Sequence, residues 1–308
     1  MGRIHGKRFL LDDSRFVGTL FLVPTFLYMI LLVGFPFVLA VAFSFSDATV
    51  GNTSLDFVGL ENYRNVWRND LFRQVFMNTV TLTLISQIFI ILFSNVLATI
   101  FTQEFTAKWF FRFLFILPWA TPVSLAVSGW LWMFDSKYSP IDFALVQLGL
   151  LGPNSILGPS NNLFWLGQPV LAKISVIFVQ VWRMTPLATV ILLAGLSSIP
   201  TDILDQTKVD GASFLRTLLR IKLPLILPIT AISVLFSVIQ MFGDMTVVYI
   251  LTRGGPIDYT RVLGLYAFQI GIDGGNLAQG AAMVLFAFPI LLALALVMLR
   301  IASRTEVR

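Results

Sequence analysis

Three observations predict an all-α integral membrane protein with six transmembrane helices. Mean hydropathy is +0.85, and 57% of the 308 residues are hydrophobic. Charged residues make up only 12%, about half the share of an ordinary soluble domain. Six stretches then supply the roughly 20 apolar residues that a ~30 Å hydrocarbon core asks of a helical span: 16–45, 79–103, 113–134, 169–198, 229–251 and 277–300. These runs are far longer than barrel strands and lack barrel alternation.

Residues 1–15 form a basic tail carrying Arg3, Lys7, Arg8 and Arg15. Such a tail before an apolar run, with Ala40-Val41-Ala42 behind it, also fits a cleaved signal peptide, but the apolar region exceeds the 7–15 residues usual there. The first span holds Pro24 and Pro36, so kinks are expected where neighbours must satisfy freed carbonyls. An external segment, 46–77, contains a short interfacial helix with Tyr63, Trp67 and Phe72 at helical spacing, suited to the headgroup region. The second span carries Thr79, Thr81, Thr83, Ser86, Gln87, Ser94 and Asn95, groups that glue helices together more often than they bind ligand. The third places Pro118 and Pro122 on one face and Trp130 and Trp132 at its outer end. External segment 136–168 is the longest loop, of a length usually functional or disordered. The fourth span runs inward to Pro200, and the fifth departs after Pro228, leaving a cytoplasmic segment, 199–228, between them. A third external segment, 252–275, has Gly254-Gly255-Pro256 as its turn signal. The sixth span holds Gly280 and Pro289 and ends in Arg300 and Arg304, before a tail at 305–308. Residues 16–304 thus make one six-helix domain.

Orientation follows from basic residues in the connections. One side holds Arg3, Lys7, Arg8, Arg15, Lys108, Arg112, Lys208, Arg216, Arg220, Lys222, Arg300, Arg304 and Arg308. The other holds Arg64, Arg68, Arg73, Lys137, Arg253 and Arg261, with Lys173 near the start of the fourth span. Thirteen against six or seven puts both termini in the cytoplasm and makes this a multi-pass protein of a plasma membrane. Anionic lipid on the inner face accounts for the net charge of +5. Nucleic acid is excluded as a partner, because no basic cluster is interleaved with aromatics. Zero cysteines exclude disulfides and thiolate sites. The single histidine, His5, cannot build a metal cluster or triad, so no metal site is expected. No G-x-x-x-x-G-K-[ST] run is present, so any ATP hydrolysis belongs to another chain.

Asp205–Pro228, DQTKVDGASFLRTLLRIKLPLILP, is a charge-bearing insert between two apolar runs. Residues 201–209 can form one short helix and 213–222 another. Gly211 supplies a backbone angle that other residues resist, and Asp210 is suited to cap the second helix. In that helix Phe214, Leu218 and Ile221 share a face with Leu215 and Leu219 beside them, while Arg216, Thr217 and Arg220 face away. This is the pattern of a helix laid in a partner's groove; the alternative is packing beneath the chain's own bundle.

The spacing resembles the EAA loop of the membrane subunits of ABC importers: EAA, three residues, G, nine residues, I-x-L-P. Asp205-Gln206-Thr207 stands at the EAA place, Gly211 at the glycine, and Ile221-Lys222-Leu223-Pro224 at the ending. The match departs at its start, with Asp for Glu and Gln-Thr for Ala-Ala. VGLENYRNVW, FMNT, LPWATP, VWRMTP, LLAGLSSIP and YILTRGGP are similar to the carbohydrate and glycerol-phosphate importer permeases of the maltose-transporter type, nearest the first of the two permeases. The resemblance, over about residues 16–304, implies a non-catalytic permease forming half of a path for a sugar or oligosaccharide in a prokaryotic inner membrane. It implies a second permease as heterodimer partner, two ATPase subunits that hold ATP and Mg, and an extracytoplasmic substrate-binding protein. It further implies that Asp205, Lys208, Asp210, Gly211, Ala212, Ser213, Phe214, Leu218 and Pro224 couple this chain to an ATPase subunit.

Arg183 and Asp244 are the ionisable groups deepest in the predicted spans, and charge there is costly enough to be a functional candidate. They could pair, although helical rise places Asp244 nearer the external face, by up to ~10 Å. Among the polar and aromatic groups in the spans (Gln87, Asn95, Trp119, Gln180, Gln240, Asp244, Tyr249), a substrate pathway is expected to draw on Asn95, Gln180, Gln240, Asp244 and Tyr249. Gln240 and Asp244 share a face at i, i+4. A stand-alone ion-coupled transporter is the alternative, and it would need more intramembrane titratable groups than Asp244 and Lys173.

Overall fold

The computed structural model describes residues 14–52 and 55–305. Most of the basic tail, His5 included, and residues 306–308 lie outside the described residues. Along the chain run α1 (Ser14–Met29), α2 (Phe35–Ser44), α3 (Glu61–Arg68), α4 (Asp70–Thr102), α5 (Lys108–Ala120), α6 (Val123–Met133), α7 (Pro140–Gln147) and α8 (Pro169–Ser197). There follow α9 (Thr201–Val209), α10 (Phe214–Thr217), α11 (Leu223–Leu225), α12 (Leu227–Gly243), α13 (Thr246–Leu251), α14 (Leu263–Phe268), α15 (Leu277–Leu285) and α16 (Phe288–Thr305).

Among the described residues, four continuous stretches are long and apolar enough to cross a bilayer: Val17–Ser44, Asp70–Thr102, Pro169–Ser197 and Leu277–Ser303. Two bent pairs raise the number to as many as six if each counts as one span: α5 with α6, turned by 95°, and Phe214–Leu225 with α12, turned by 70°. The protein is therefore an all-α, multi-pass membrane protein. In the first span a π-turn, Ile30–Gly34, joins α1 to α2. Pro36 lies just beyond it and has no N–H to offer the carbonyl of Leu32, one physical source of the wider turn.

Four expectations about the elements need correction. The third span is not one straight helix, because Thr121-Pro122 is extended and deflects the chain between α5 and α6. The helix of the second span begins nine residues before the predicted 79: α4 starts at Asp70, its first turn capped by the Asn69 side chain, which accepts from the N–H of Leu71 at 2.9 Å. Phe72 consequently leaves the short helix and is fully buried, while Tyr63 and Trp67 remain on α3 and pack against Phe286 at 5.5 and 5.9 Å between centroids. The fifth span stops at Gly243, so Asp244 and Tyr249 lie beyond it.

The centre of the bundle is α4 along α8, with α12 against both and α16 behind α12. Lipid tails are as apolar as leucine, so fit and polar contacts hold such helices together. Gln87 Oε1 accepts from Ser237 Oγ at 2.6 Å, joining α4 to α12. At the last hairpin a Cβ added to Gly280 would stand 2.6 Å from the Cα of Gly271, so both backbones touch only because neither residue has a side chain.

Candidate functional site

Physical reasons for the shape of the 199–228 insert are visible at Gly211. The residue has φ +65°, and its N–H donates to Lys208 O at 3.1 Å while the N–H of Ala212 donates to Thr207 O at 3.0 Å. This paired bonding closes α9 with a left-handed glycine, a position where Cβ is disfavoured. Nothing lies within 4 Å of where that Cβ would be, so conformation rather than crowding makes the demand. Asp210 does not cap the second helix. It closes α9, its N–H donating to Gln206 O at 3.0 Å, and Ser213 caps α10, Oγ accepting from Arg216 N at 3.4 Å. The correction is one of register: the turn spends residues 210–212 before the next helix can begin.

From Phe214 the chain stays helical to Leu225 through a π-turn, Leu218–Lys222, ahead of Pro224. Phe214, Leu215 and Leu219 remain exposed, at 64%, 60% and 53%. Beneath them the insert is seated on Ala98, Leu192, Leu196, Ile199 and Ile226, with Ile203, Leu204 and Leu223 packed alongside. At the same level Gly195 admits Ile229, whose Cδ1 would lie 2.9 Å from an added Cβ. An exposed apolar face therefore sits on a close-packed footing. Asp205 and Lys208 form an exposed ion pair at 2.8 Å.

A second cluster lies within the bundle. Arg183 Nη2 meets Asp244 Oδ2 at 2.5 Å, with each side chain 11% exposed. The expected offset in depth vanishes because α12 ends at Gly243 and Asp244 is extended at ψ 115°, so its carboxylate is free of the helical rise. Asp244 Oδ1 also accepts from Thr246 N at 2.8 Å, holding the start of α13. Gln180 completes the group, accepting from Arg183 at 3.2 Å and donating to Asp244 at 3.5 Å. These residues border a cavity of about 320 Å³ lined by Arg183, Met184, Ile239, Gln240, Gly243 and Asp244. Gln180, Arg183, Gln240 and Asp244 are thus brought together. Gln240 and Asp244 meet at one cavity although they share no helix. Asn95 is left out, donating to Ile91 O on its own helix, and Tyr249 stands half-exposed on α13.

The third cluster escaped sequence reasoning. Buried Asn78 donates to Asp258 O at 2.9 Å and Arg261 O at 3.2 Å, and its Oδ1 accepts from Lys173 Nζ at 3.0 Å. Thr79 Oγ1 accepts from Leu263 N at 2.8 Å. FMNT therefore pins the loop after TRGGP, and Lys173 ties α8 to both. The signal available was a buried-looking amide next to a threonine in a quoted motif. In the long loop 136–168, Asp142 is buried and accepts from Trp165 Nε1 at 2.8 Å and Leu163 N at 3.0 Å. Nearby Asp135 is held below the usual carboxylate range by the backbone N–H groups of Lys137 and Tyr138.

The helical bundle thus carries a footed insert closed at Gly211 and a polar cavity beside Arg183 and Asp244. Residues 94–307 match the family described as binding-protein-dependent transport system inner membrane component, and the chain belongs to that family. Curated relatives include the sulfoquinovosyl glycerol transport system permease protein SmoG of Agrobacterium fabrum, 28% identical over 289 residues that cover 94% of this chain and 91% of the relative. The trehalose/maltose transport system permease protein MalF of Thermococcus litoralis is 29% identical over 245 residues, covering 80% and 79%. A crystal structure of a bacterial alginate ABC transporter, in complex with alginate pentasaccharide-bound periplasmic protein, superposes with a TM-score of 0.78, covering 97% of this chain and 99% of that one. At 19% identity that likeness speaks for the fold alone. The chain is a non-catalytic permease subunit of a binding-protein-dependent ABC importer, and not a stand-alone transporter.

Proposed function

We propose that this subunit forms half of the translocation path for a sugar or oligosaccharide, alongside a second permease. Two ATPase subunits, holding ATP and Mg, drive the pair, and an extracytoplasmic binding protein delivers the substrate. Both termini lie in the cytoplasm of a prokaryotic cell, on the strength of the basic-residue asymmetry. The observation that carries the coupling reading is the exposed Phe214, Leu215 and Leu219 face above the Ala98, Leu192, Leu196 and Ile226 footing. A rigid seat lets closure of an ATPase subunit displace α4, α8 and α12 together, a two-state transition biased by differential contacts. Asp205, Lys208, Asp210, Gly211, Ala212, Ser213, Phe214, Leu218 and Pro224 form that contact segment. Inside the bundle, Gln180, Gln240 and Asp244, with Arg183 as the countercharge, line the path for neutral hydroxyl-bearing solutes. Sugar names among the relatives support the substrate class.

Reconstitution with the partner subunits tests the reading. Uptake of a radiolabelled sugar should require ATP, the binding protein and an intact 205–224 segment. Uptake that persists without the ATPase subunits would overturn it.

A further inference from the structure

A second hollow in the molecule has a chemistry unlike the polar cavity. It lies between α4, α5 and α8, holds about 630 Å³, and is walled by Leu97, Phe101, Phe111, Leu114, Pro118 and Trp182 among other apolar residues. No lining residue is shared with the Arg183 and Asp244 cavity. The Trp182 indole is the one polar group among the lining side chains, so a hydroxylated solute would leave most of its hydroxyls unbonded, whereas a hydrocarbon chain would lose nothing. Wall atoms facing empty space forfeit their dispersion contacts, so an apolar occupant is favoured wherever the bilayer supplies one.

Length and charge narrow the occupant. Pro118 is ten residues from Lys108 at the start of α5, and Pro186, at the deep end, is eleven residues from Ser197 at the end of α8. At 1.5 Å per residue the groove reaches ~15 Å, the depth of one leaflet of a ~30 Å core. At the shallow end Arg112 donates from Nη2 to Phe101 O at 2.5 Å, so a guanidinium stands beside the groove's mouth at the last turn of α4. Lys108 is paired with Glu104 at 2.8 Å. That lysine's hydrogen bond and charge hold the Glu104 carboxyl below the usual range. Two cations and one carboxylate leave the mouth with one net positive charge, and Trp109, 74% exposed, adds an indole of the kind enriched at membrane interfaces. The geometry points to a phospholipid site: the groove between α4, α5 and α8 takes one acyl chain of an anionic phospholipid, with Arg112 drawing its headgroup phosphate. That the leaflet is the inner one rests on the orientation proposed above.

The full complex, reconstituted in mixed phosphatidylglycerol and phosphatidylcholine vesicles, tests this with phospholipids bearing a diazirine near the acyl terminus. Cross-links mapped by mass spectrometry should concentrate at the deep wall near Pro118 and Trp182, and phosphatidylglycerol should label more than phosphatidylcholine. Arg112→Gln should lower that headgroup preference about five-fold, the equivalent of ~1 kcal/mol per basic group at an anionic leaflet. Arg112→Lys should retain the preference, and Leu114→Trp, which fills the groove, should reduce labelling by both lipids. Equal labelling by the two headgroups, or no enrichment over the lipid-exposed face of α4 at Phe89 and Leu92, would overturn the assignment. So would a Leu114→Cys thiol, unique in this cysteine-free chain, that cross-links efficiently to the second permease. Labelling only by lipid delivered to the outer leaflet would overturn the orientation and leave the groove standing.

Discussion

The Arg183 and Asp244 cluster and the 199–228 insert are opposites in the way they break membrane rules. One hides charge among apolar helices; the other shows apolar side chains beside charged ones. Each carries an unpaid requirement that the chain alone leaves open: Arg183 Nε is buried without a partner, and Phe214 is 64% exposed. Buried polar groups normally find partners, and large exposed apolar patches normally meet one. On the proposed reading, function in this subunit sits where its own folding is incomplete, once toward a solute and once toward another protein.

The largest effect should come from breaking the buried pair on one side only. Asp244→Ala strands Arg183 and removes the carboxylate that holds Thr246 N, so the folded subunit should lose ~3–5 kcal/mol, the range for an uncompensated buried charge. Detergent-extracted yield would measure it. The double variant Arg183→Gln with Asp244→Asn separates roles: folding should return toward normal, while sugar uptake stays low. Recovery of full uptake would reduce the pair to a structural strut.

Next in size is the last hairpin, which belongs to neither region and packs against the first span and the short helix after it. Gly280→Ala places a methyl 2.6 Å from a backbone carbon that cannot yield locally, so overpacking should cost ~1–3 kcal/mol. A thermal melt of the purified complex should fall, with the ratio of uptake to ATP hydrolysis unchanged. At Gly211 the cost is conformational and comparable, of order 1–3 kcal/mol for Gly211→Val at a left-handed position. Gly211→Asn, which tolerates that region, should restore α9 and its turn. If Asn fails as badly as Val in recruiting the ATPase subunit, the partner surface itself must lie against Gly211.

How much of this was legible follows from what each signal averages over. Apolar runs marked the four long spans and both bent pairs because bilayer thickness is read over about 20 residues, and the same averaging concealed the turn at Thr121-Pro122 and the stop at Gly243. Gly211 was readable because a left-handed closure is a local demand. Asp210 was given the cap that Ser213 holds, since both residue types cap well and only the length of the turn decides between them. The pairing of Asp244 with Arg183 was obscured by treating 229–251 as continuous helix. FMNT and Lys173 stood out in the sequence, but the contact of Asn78 with Lys173 did not, because the partners come from far along the chain, Asp258 and Arg261 among them.

The smallest effects carry the sharpest test of the opening Asp-Gln-Thr. Asp205 and Lys208 are 65% and 77% exposed, so their ion pair should contribute no more than ~0.5 kcal/mol to folding. On that ground alone Asp205→Ala and Lys208→Ala should be equal and nearly silent in a melt. They should differ in the assembled importer. A carboxylate reaching an ATPase subunit would make Asp205→Ala reduce subunit recruitment while Lys208→Ala leaves it intact, and Phe214→Ala should weaken recruitment further, by ~2 kcal/mol as central apolar anchors do. Equal recruitment by both charge variants would move the coupling contact wholly onto the apolar face. The insert would then be held by shape alone, and Asp205 would serve only α9.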